Sequence, residues 1–300
     1  MKGFVFLDVG GTQIRSAAFS GDGKQLGAAL SVPSRAKEDR NAILANFLAV
    51  IADRKKLLDA AGLPLNTVGF AFPGPFDYPK GICLIRGLDK YESLYGISLP
   101  EALLGFPGQR TVTPETGIFF RHDVASFALG EACRSLSAET ERVLCLCIGT
   151  GAGSAFLEQG KLLEQDPRIP DRGWIHPFPL RGKTVDDWVS VRGLEKLASA
   201  ARFSPGTTGK ELSVLAAEGN PFALEVWHQF GLLTAEAVGP FVRSFQPQLL
   251  LLGGRISGAL EWFGPALRDS LPGLALCAVP DTTESIFRGL LAAAREKQTA

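Results

Sequence analysis

Two stretches of this chain follow one plan, and that repetition restricts the fold more than any other feature. Residues 4–26 run FVFLDVGGTQIRSAAFSGDGKQL and residues 143–163 run VLCLCIGTGAGSAFLEQGKLL. In each, an apolar strand meets a glycine turn with a threonine, a second strand leads away, and a G-K turn opens another apolar segment. A strand pair of this kind cannot bury its face alone, so the repeat predicts two related domains, each built outward from one hairpin. The first copy carries a charge where the second has none: Asp8 closes an otherwise apolar strand. A buried carboxylate costs several kcal/mol unless a metal, a metal-bound phosphate or hydrogen-bond donors accompany it. Gly10 and Gly11 permit a tight turn and close approach of a ligand, and Thr12 adds a hydroxyl; a hairpin turn whose Asp merely satisfies turn amides meets the same pattern.

Length and charge narrow the class. A chain of 300 residues with 46% hydrophobic content can bury two cores or one large one. Lys plus Arg balances Asp plus Glu at 31 each, so no overall field draws the chain to nucleic acid or an anionic membrane. MKGFVFLDVGG passes from Lys2 into a strand without a signal-peptide core, and apolar runs such as LLLL at 249–252 are too short to span a bilayer, so a cytoplasmic protein is expected. Cys83, Cys133, Cys145, Cys147 and Cys277 lack paired C-x-x-C spacing; Cys145 and Cys147, two apart on one strand face, are expected as buried thiols.

Along the chain, FVFLDVGG, IRSAAFS and QLGAALSVP predict a β meander. Residues 41–62, with apolar Ile43, Leu44, Phe47, Leu48 and Ile51 closed by Gly62 and Pro64, predict an amphipathic helix. The strand VGFAFPG follows, then the turn-rich PGPFDYPKG, and GQRTVTPETG at 108–117 is a plausible crossing between domains. Three phosphate motifs fail on context. A dinucleotide fingerprint needs its glycines to open a helix, but IRSAAF continues as strand. TTGKEL at 207–212 has Ser204 where a P-loop needs Gly and Glu211 where it needs Ser or Thr. A haloacid-dehalogenase-type phosphatase would carry a second Asp at the position of Gly10.

What remains is two glycine hairpins and a third glycine pair after an apolar strand, QLLLLGGRIS at 248–257. In order, LDVGGT (7–12), FAFPGP (70–75), HDVASFALGE (122–131), LCIGTGAG (146–153) and LLLGGRIS (250–257) resemble the ROK sugar kinases of the actin, hexokinase and Hsp70 ATPase superfamily, across nearly the whole chain. The resemblance implies an α/β protein of two ribonuclease H-like domains with a nucleotide cleft between them, one over residues 1–117 joined by a C-terminal helix at 282–300, the other over 118–281. It implies ATP as co-substrate, with Gly10, Gly11, Thr12, Gly149, Thr150 and Gly151 near the phosphates and Gly253 and Gly254 beside the adenosine. Asp8 would orient the waters of a magnesium ion.

Phosphoryl transfer needs a group to orient the acceptor hydroxyl and take its proton. Asp123, after the strand-like IFFR and at the start of VASFALGEA, stands where the family's N-D pair carries its base; an N-cap is the plainer role at such a junction. His122 replaces the family's Asn. With His176 of DRGWIHPFP aligned to the His of the family's E-x-G-H motif, the Glu position is Gly173, so one sugar ligand is missing. Gly74, Asp89, His122, Asp123 and His176 are the expected substrate contacts, with Lys90 as an alternative to Asp89 in the loop RGLDKYESLYG. The family's zinc-binding segment is absent around residues 166–180, so no structural zinc is expected, and without a helix-turn-helix before Phe4 no DNA partner is expected either. The expected activity is an ATP-dependent kinase of a hexose or hexose derivative, working as a homodimer; the alternative is a catalytically weak regulatory protein that keeps the fold and binds sugar or nucleotide.

Overall fold

The apolar run after Lys2 forms strand β1 (Gly3–Val9), buried on every residue but Asp8, which is half-buried. The glycine turn returns the chain as β2 (Gln13–Ser20), antiparallel from Gly3↔Ser20 to Val9↔Ile14, and β3 (Gln25–Pro33) completes the meander at the sheet edge. Helix α1 (Arg40–Ala60) starts where the Asp39 carboxylate accepts the Ala42 amide at 3.0 Å. It buries Ile43, Leu44, Phe47, Leu48 and Ile51, the face its periodicity predicts. β4 (Leu65–Phe72) then lies parallel to β1. A short ladder of β5 (Phe76–Asp77) and β6 (Ile82–Cys83) and helix α2 (Leu99–Leu104) precede β7 (Gly117–His122), which pairs parallel with β4, and α3 (Asp123–Arg134) follows directly.

The computed structural model describes residues 2–134, 140–279 and 281–299. It divides into Met1–Gly130 with Thr283–Ala300, and Glu131–Thr282. The turn-rich loop at 108–116 is therefore a connection inside the first unit, not the crossing that its composition suggested. β7 is held to β4 from Thr67↔Gly117 to Phe72↔His122, so residues 117–130 belong with the first unit and the division falls within α3, where no glycine or proline cluster marks it.

The second unit begins with β8 (Arg142–Ile148), β9 (Ala152–Glu158) and β10 (Lys161–Leu163), again an antiparallel meander. A short ladder, β11 (Pro179–Leu180) with β12 (Lys183–Thr184), leads to helices α4 (Val185–Trp188), α5 (Val191–Ala200), α6 (Gly209–Ala217) and α7 (Pro221–Phe245). β13 (Leu249–Gly253) pairs parallel with β8, and after α8 (Leu260–Ser270) the strand β14 (Ala275–Ala278) pairs parallel with β13. The two sheets have the orders β3-β2-β1-β4-β7 and β10-β9-β8-β13-β14. Both are two antiparallel pairings followed by two parallel ones, so the duplication predicted from the hairpins extends to entire sheets.

The last helix, α9 (Thr282–Thr299), packs in the first unit: Phe287 lies 6.2 Å from Phe19 between ring centroids. Gly289 is required there, because a Cβ on it would collide with the Ser126 carbonyl oxygen of α3. Each unit has its own core. Phe47, Phe70, Phe72, Phe76 and Tyr91 in the first, and Trp227, Phe230 and Phe263 in the second, are all essentially inaccessible. Burying each such ring contributes about 1.5–3 kcal/mol, ample to hold the sheet edges that carry the polar residues. Cys145 is buried, but Cys147 is only partly so, because it lies near the strand end that opens into the turn. Among the described residues no helix is long and apolar enough to cross a membrane.

Candidate active site

In the first unit the polar side chains gather at the carboxyl ends of the parallel strands β1, β4 and β7, the edge where open α/β sheets bind ligands. Asp8 is level with Ala71 and Arg121 in the ladders. Its side chain, 15% exposed, faces Arg15 across the β1–β2 pair at 3.9 Å, and Arg15 donates in turn to the Thr283 hydroxyl at 2.7 Å. That guanidinium offsets part of the cost of placing a carboxylate at a strand end. A hard carboxylate oxygen in this position fits magnesium, which keeps most of its water and needs only one or two protein oxygens.

The hairpin beside Asp8 is fastened by its carbonyls. The Gly10 amide closes the turn on the Gln13 carbonyl at 2.9 Å. The Gly10 carbonyl accepts the Tyr91 hydroxyl at 2.7 Å, the Gly11 carbonyl accepts the Ser34 hydroxyl at 2.8 Å, and the Thr12 carbonyl accepts the Ser34 amide at 2.9 Å. The Gly11 and Thr12 amides have no acceptor among the described residues. With the three carbonyls taken, these two amides are the hairpin's donors left for an anion. Tyr91 is wholly buried, and burial pushes its phenol upward, so it stays a donor.

At the end of β7, His122 Nε2 lies 3.3 Å from Asp123 Oδ1. The same carboxylate oxygen accepts the Val124 amide at 2.8 Å, and the Ser126 hydroxyl donates to the His122 carbonyl at 3.1 Å. Asp123 is thus the first residue of α3, and its carboxylate accepts the amide of the next residue; its side chain keeps about a third of its surface exposed. The His122 ring meets Tyr78 edge-on at 5.9 Å. Gly74 lies just past the end of β4, before a cis Gly74–Pro75 peptide. Asp89 is displaced from this group: its carboxylate is 80% exposed and ion-paired with Lys37. Its neighbour Lys90 instead lies over the hairpin, where a Cβ on Gly11 would come 3.3 Å from Lys90 Cδ.

In the second unit the hairpin is three residues long. The Gly149 amide bonds the Gly151 carbonyl at 2.9 Å, and the Gly149 carbonyl accepts the Val191 amide at 2.9 Å. Thr150 and Gly151 amides have no acceptor among the described residues. Asp186, at the start of α4, sits on this hairpin: its Oδ1 accepts the Ala152 amide at 2.8 Å and its Oδ2 pairs with Arg192. Gly253 ends β13 opposite Cys147. Gly254 has φ +85°, and a Cβ there would run into the Ile148 carbonyl, so only glycine fits.

In the segment expected to grip sugar, Gly173 stands where the family motif has Glu. Gly173 is buried at φ +70°, with its carbonyl accepting the Ser154 hydroxyl at 2.6 Å, and a Cβ there would press on Phe156 at 3.2 Å. A Glu could not stand at this position without moving the turn. The carboxylate this turn does present is Asp171, exposed and 3.9 Å from Arg172. His176 is half-buried, its ring 5.9 Å from Trp174, and its carbonyl accepts the Asp186 amide at 3.1 Å. Nothing local in the sequence marks Ser34, Tyr91, Asp186 or Arg192: the first three reach their hairpins from distant elements, and Arg192 acts through Asp186.

Residues 4–288 match the ROK family model. The chain is 28% identical to an N-acetyl-D-glucosamine kinase of Haemophilus influenzae, over 89% of this chain and 88% of that one. It is 25% identical to a glucokinase of Thermotoga maritima, over 95% and 92%. The crystal structure of a ROK hexokinase from Thermus thermophilus superposes with a TM-score of 0.76 at 21% identity, covering 99% of this chain and 100% of that one.

Proposed function

This chain belongs to the ROK family, and from that premise we propose that it transfers the terminal phosphate of ATP to a hydroxyl of a hexose or hexose derivative. The observation that carries the reading is the edge of the first sheet, where Asp8, the unclaimed amides of Gly11 and Thr12, and the His122–Asp123 pair all stand at the carboxyl ends of β1 and β7. Asp123 accepts the proton of the acceptor hydroxyl as that oxygen bonds to phosphorus and the bond from phosphorus to the ADP oxygen breaks. The His122 imidazole holds one carboxylate oxygen, leaving the other to face the acceptor. Magnesium, when bound, neutralises phosphate charge, and Asp8 is the side chain that would hold its waters. In the second unit, the Thr150 and Gly151 amides and the Gly253–Gly254 turn are the nucleotide contacts. Gly74, His122 and His176 are the substrate contacts, with Asp89 at the margin. Cytoplasmic location and a homodimer complete the proposal.

Gly173 makes the sugar distinctive. A site without one charged hydrogen bond to a sugar hydroxyl forfeits about 1.5–3 kcal/mol, roughly one to two decades in specificity. An ADP-coupled assay over hexoses, amino sugars, acetylated amino sugars and ketoses is expected to show glucose used poorly and a derivative preferred; efficient turnover of glucose at low KM overturns that preference. The same glycine is the observation favouring the alternative, a weak regulatory binder. Nucleotide affinity with no ADP release on any sugar would select it.

A further inference from the structure

The loop at 87–91 is sharply bent. Asp89 and Tyr91 both have left-handed backbones, φ +53° and +56°, with Gly87 at +67°. Non-glycine residues hold that conformation only where the surroundings compensate for it. Tyr91 supplies the compensation: its ring packs 5.2 Å from Phe72 and 6.3 Å from Phe47, its amide donates to the Ala36 carbonyl at 2.6 Å, and its hydroxyl is fixed on the Gly10 carbonyl. This anchoring sets Lys90 against Gly11. The acids around Lys90 are engaged elsewhere. Asp89 pairs with Lys37, Glu92 accepts the Asp89 amide at 2.9 Å, and Glu38 lies 3.7 Å from Arg35. Lys90, half-buried, has no ion-pair partner among the described residues.

We propose that Lys90 is a phosphate-binding residue: its ammonium, held over the Gly10–Thr12 hairpin by Tyr91, contacts the terminal phosphoryl group of the nucleotide. The proposal rests on the kinase reading above. An ammonium there adds a point charge to the hairpin's unclaimed amides, which supply partial charges only. Because ADP lacks the terminal phosphate, the contact discriminates ATP from ADP before any sugar is present, a property no merely structural lysine would have.

The test is the ratio of ATP to ADP affinity, measured by calorimetry with magnesium and without sugar, in the parent, Lys90→Met, Lys90→Arg and, as a charge control on α1, Lys56→Met. Lys90→Met is expected to weaken ATP about 10-fold or more and ADP less than about 2-fold, with Lys90→Arg recovering part of the loss. kcat/KM should fall by at least the same factor, and Lys56→Met should match the parent. Equal weakening of ATP and ADP, or no change in either, overturns the role of Lys90. A parent that binds nucleotide but phosphorylates no sugar overturns the kinase reading instead, while the affinity ratio still decides the role of the lysine independently.

Discussion

The two glycine hairpins grow from matching strands of matching sheets, yet they are braced in opposite ways. The first is tied by its backbone carbonyls, through Tyr91 and Ser34, and has the aliphatic chain of Lys90 beside it. The second is held at an amide by a carboxylate, Asp186, which Arg192 pairs in turn. The first hairpin also follows a strand with Asp8 next to its end, where the corresponding strand of the second ends without a charge. The duplication therefore preserves hairpins with unclaimed amides and changes their electrostatics: under the proposed function, the first would serve metal and phosphoryl chemistry and the second would hold a polyanion by backbone alone.

The sharpest way to break this comparison is to remove each hairpin's carboxylate. Asp8→Ala is expected to lower magnesium-dependent turnover about 10- to 100-fold, the scale of losing a group that orients a metal's ligands, with the unliganded fold intact. Asp186→Ala should loosen the second hairpin without altering the magnesium dependence of turnover. A magnesium titration of both variants decides it, and equal metal dependence in the two would erase the division of labour.

A second contrast replaces the glycines. A Cβ on Gly151 would strike Asp186 Oδ1 and expel it from the Ala152 amide, whereas one on Gly11 meets only the flexible Lys90 chain at 3.3 Å. Gly151→Ala should cost about 1.5–3 kcal/mol in denaturant unfolding, and Gly11→Ala about 0.5 kcal/mol or less. The reverse order would mean that the bracing has been assigned to the wrong hairpin.

The smallest expected effect is at Tyr91. Tyr91→Phe keeps the ring in the core and deletes only the bond to the Gly10 carbonyl, a change of about 1 kcal/mol. A KM for magnesium ATP raised a few-fold with kcat unchanged would confirm that the hydroxyl positions the hairpin; an unchanged KM would reduce Tyr91 to packing.

Much of this architecture is written locally. The FVFLDVGG and VLCLCIGTG strands, the period of α1 and the glycine turns specify both sheets because each signal lies within a few residues of the structure it produces. Residues that act across the fold are another matter. Tyr91, flanked by Lys90 and Glu92, has the setting of a solvated loop residue, yet its ring packs on Phe47 and Phe72 and its hydroxyl bonds Gly10, 81 positions away. Asp186 meets the second hairpin across 34 positions. The boundary within α3 was hidden for a related reason: a turn-rich loop signals a bend in the chain, not which sheet the next strand joins, and β7 joins β4 through backbone bonds that any sequence can make. At Gly173 the sequence shows a missing Glu, but the left-handed backbone and the contact with Phe156, which make the glycine obligatory, emerge only from the packing.

Asp123 is proposed to accept the acceptor's proton, and it also bonds the next amide of α3. Asparagine keeps an oxygen for the Val124 amide while abolishing the base, so Asp123→Asn separates the two roles. With the preferred sugar from the panel and saturating magnesium ATP, this variant is expected to show a kcat about 100-fold or more below the parent, with ATP affinity and thermal stability preserved. A kcat within about 3-fold of the parent would contradict it and leave Asp123 as a helix cap.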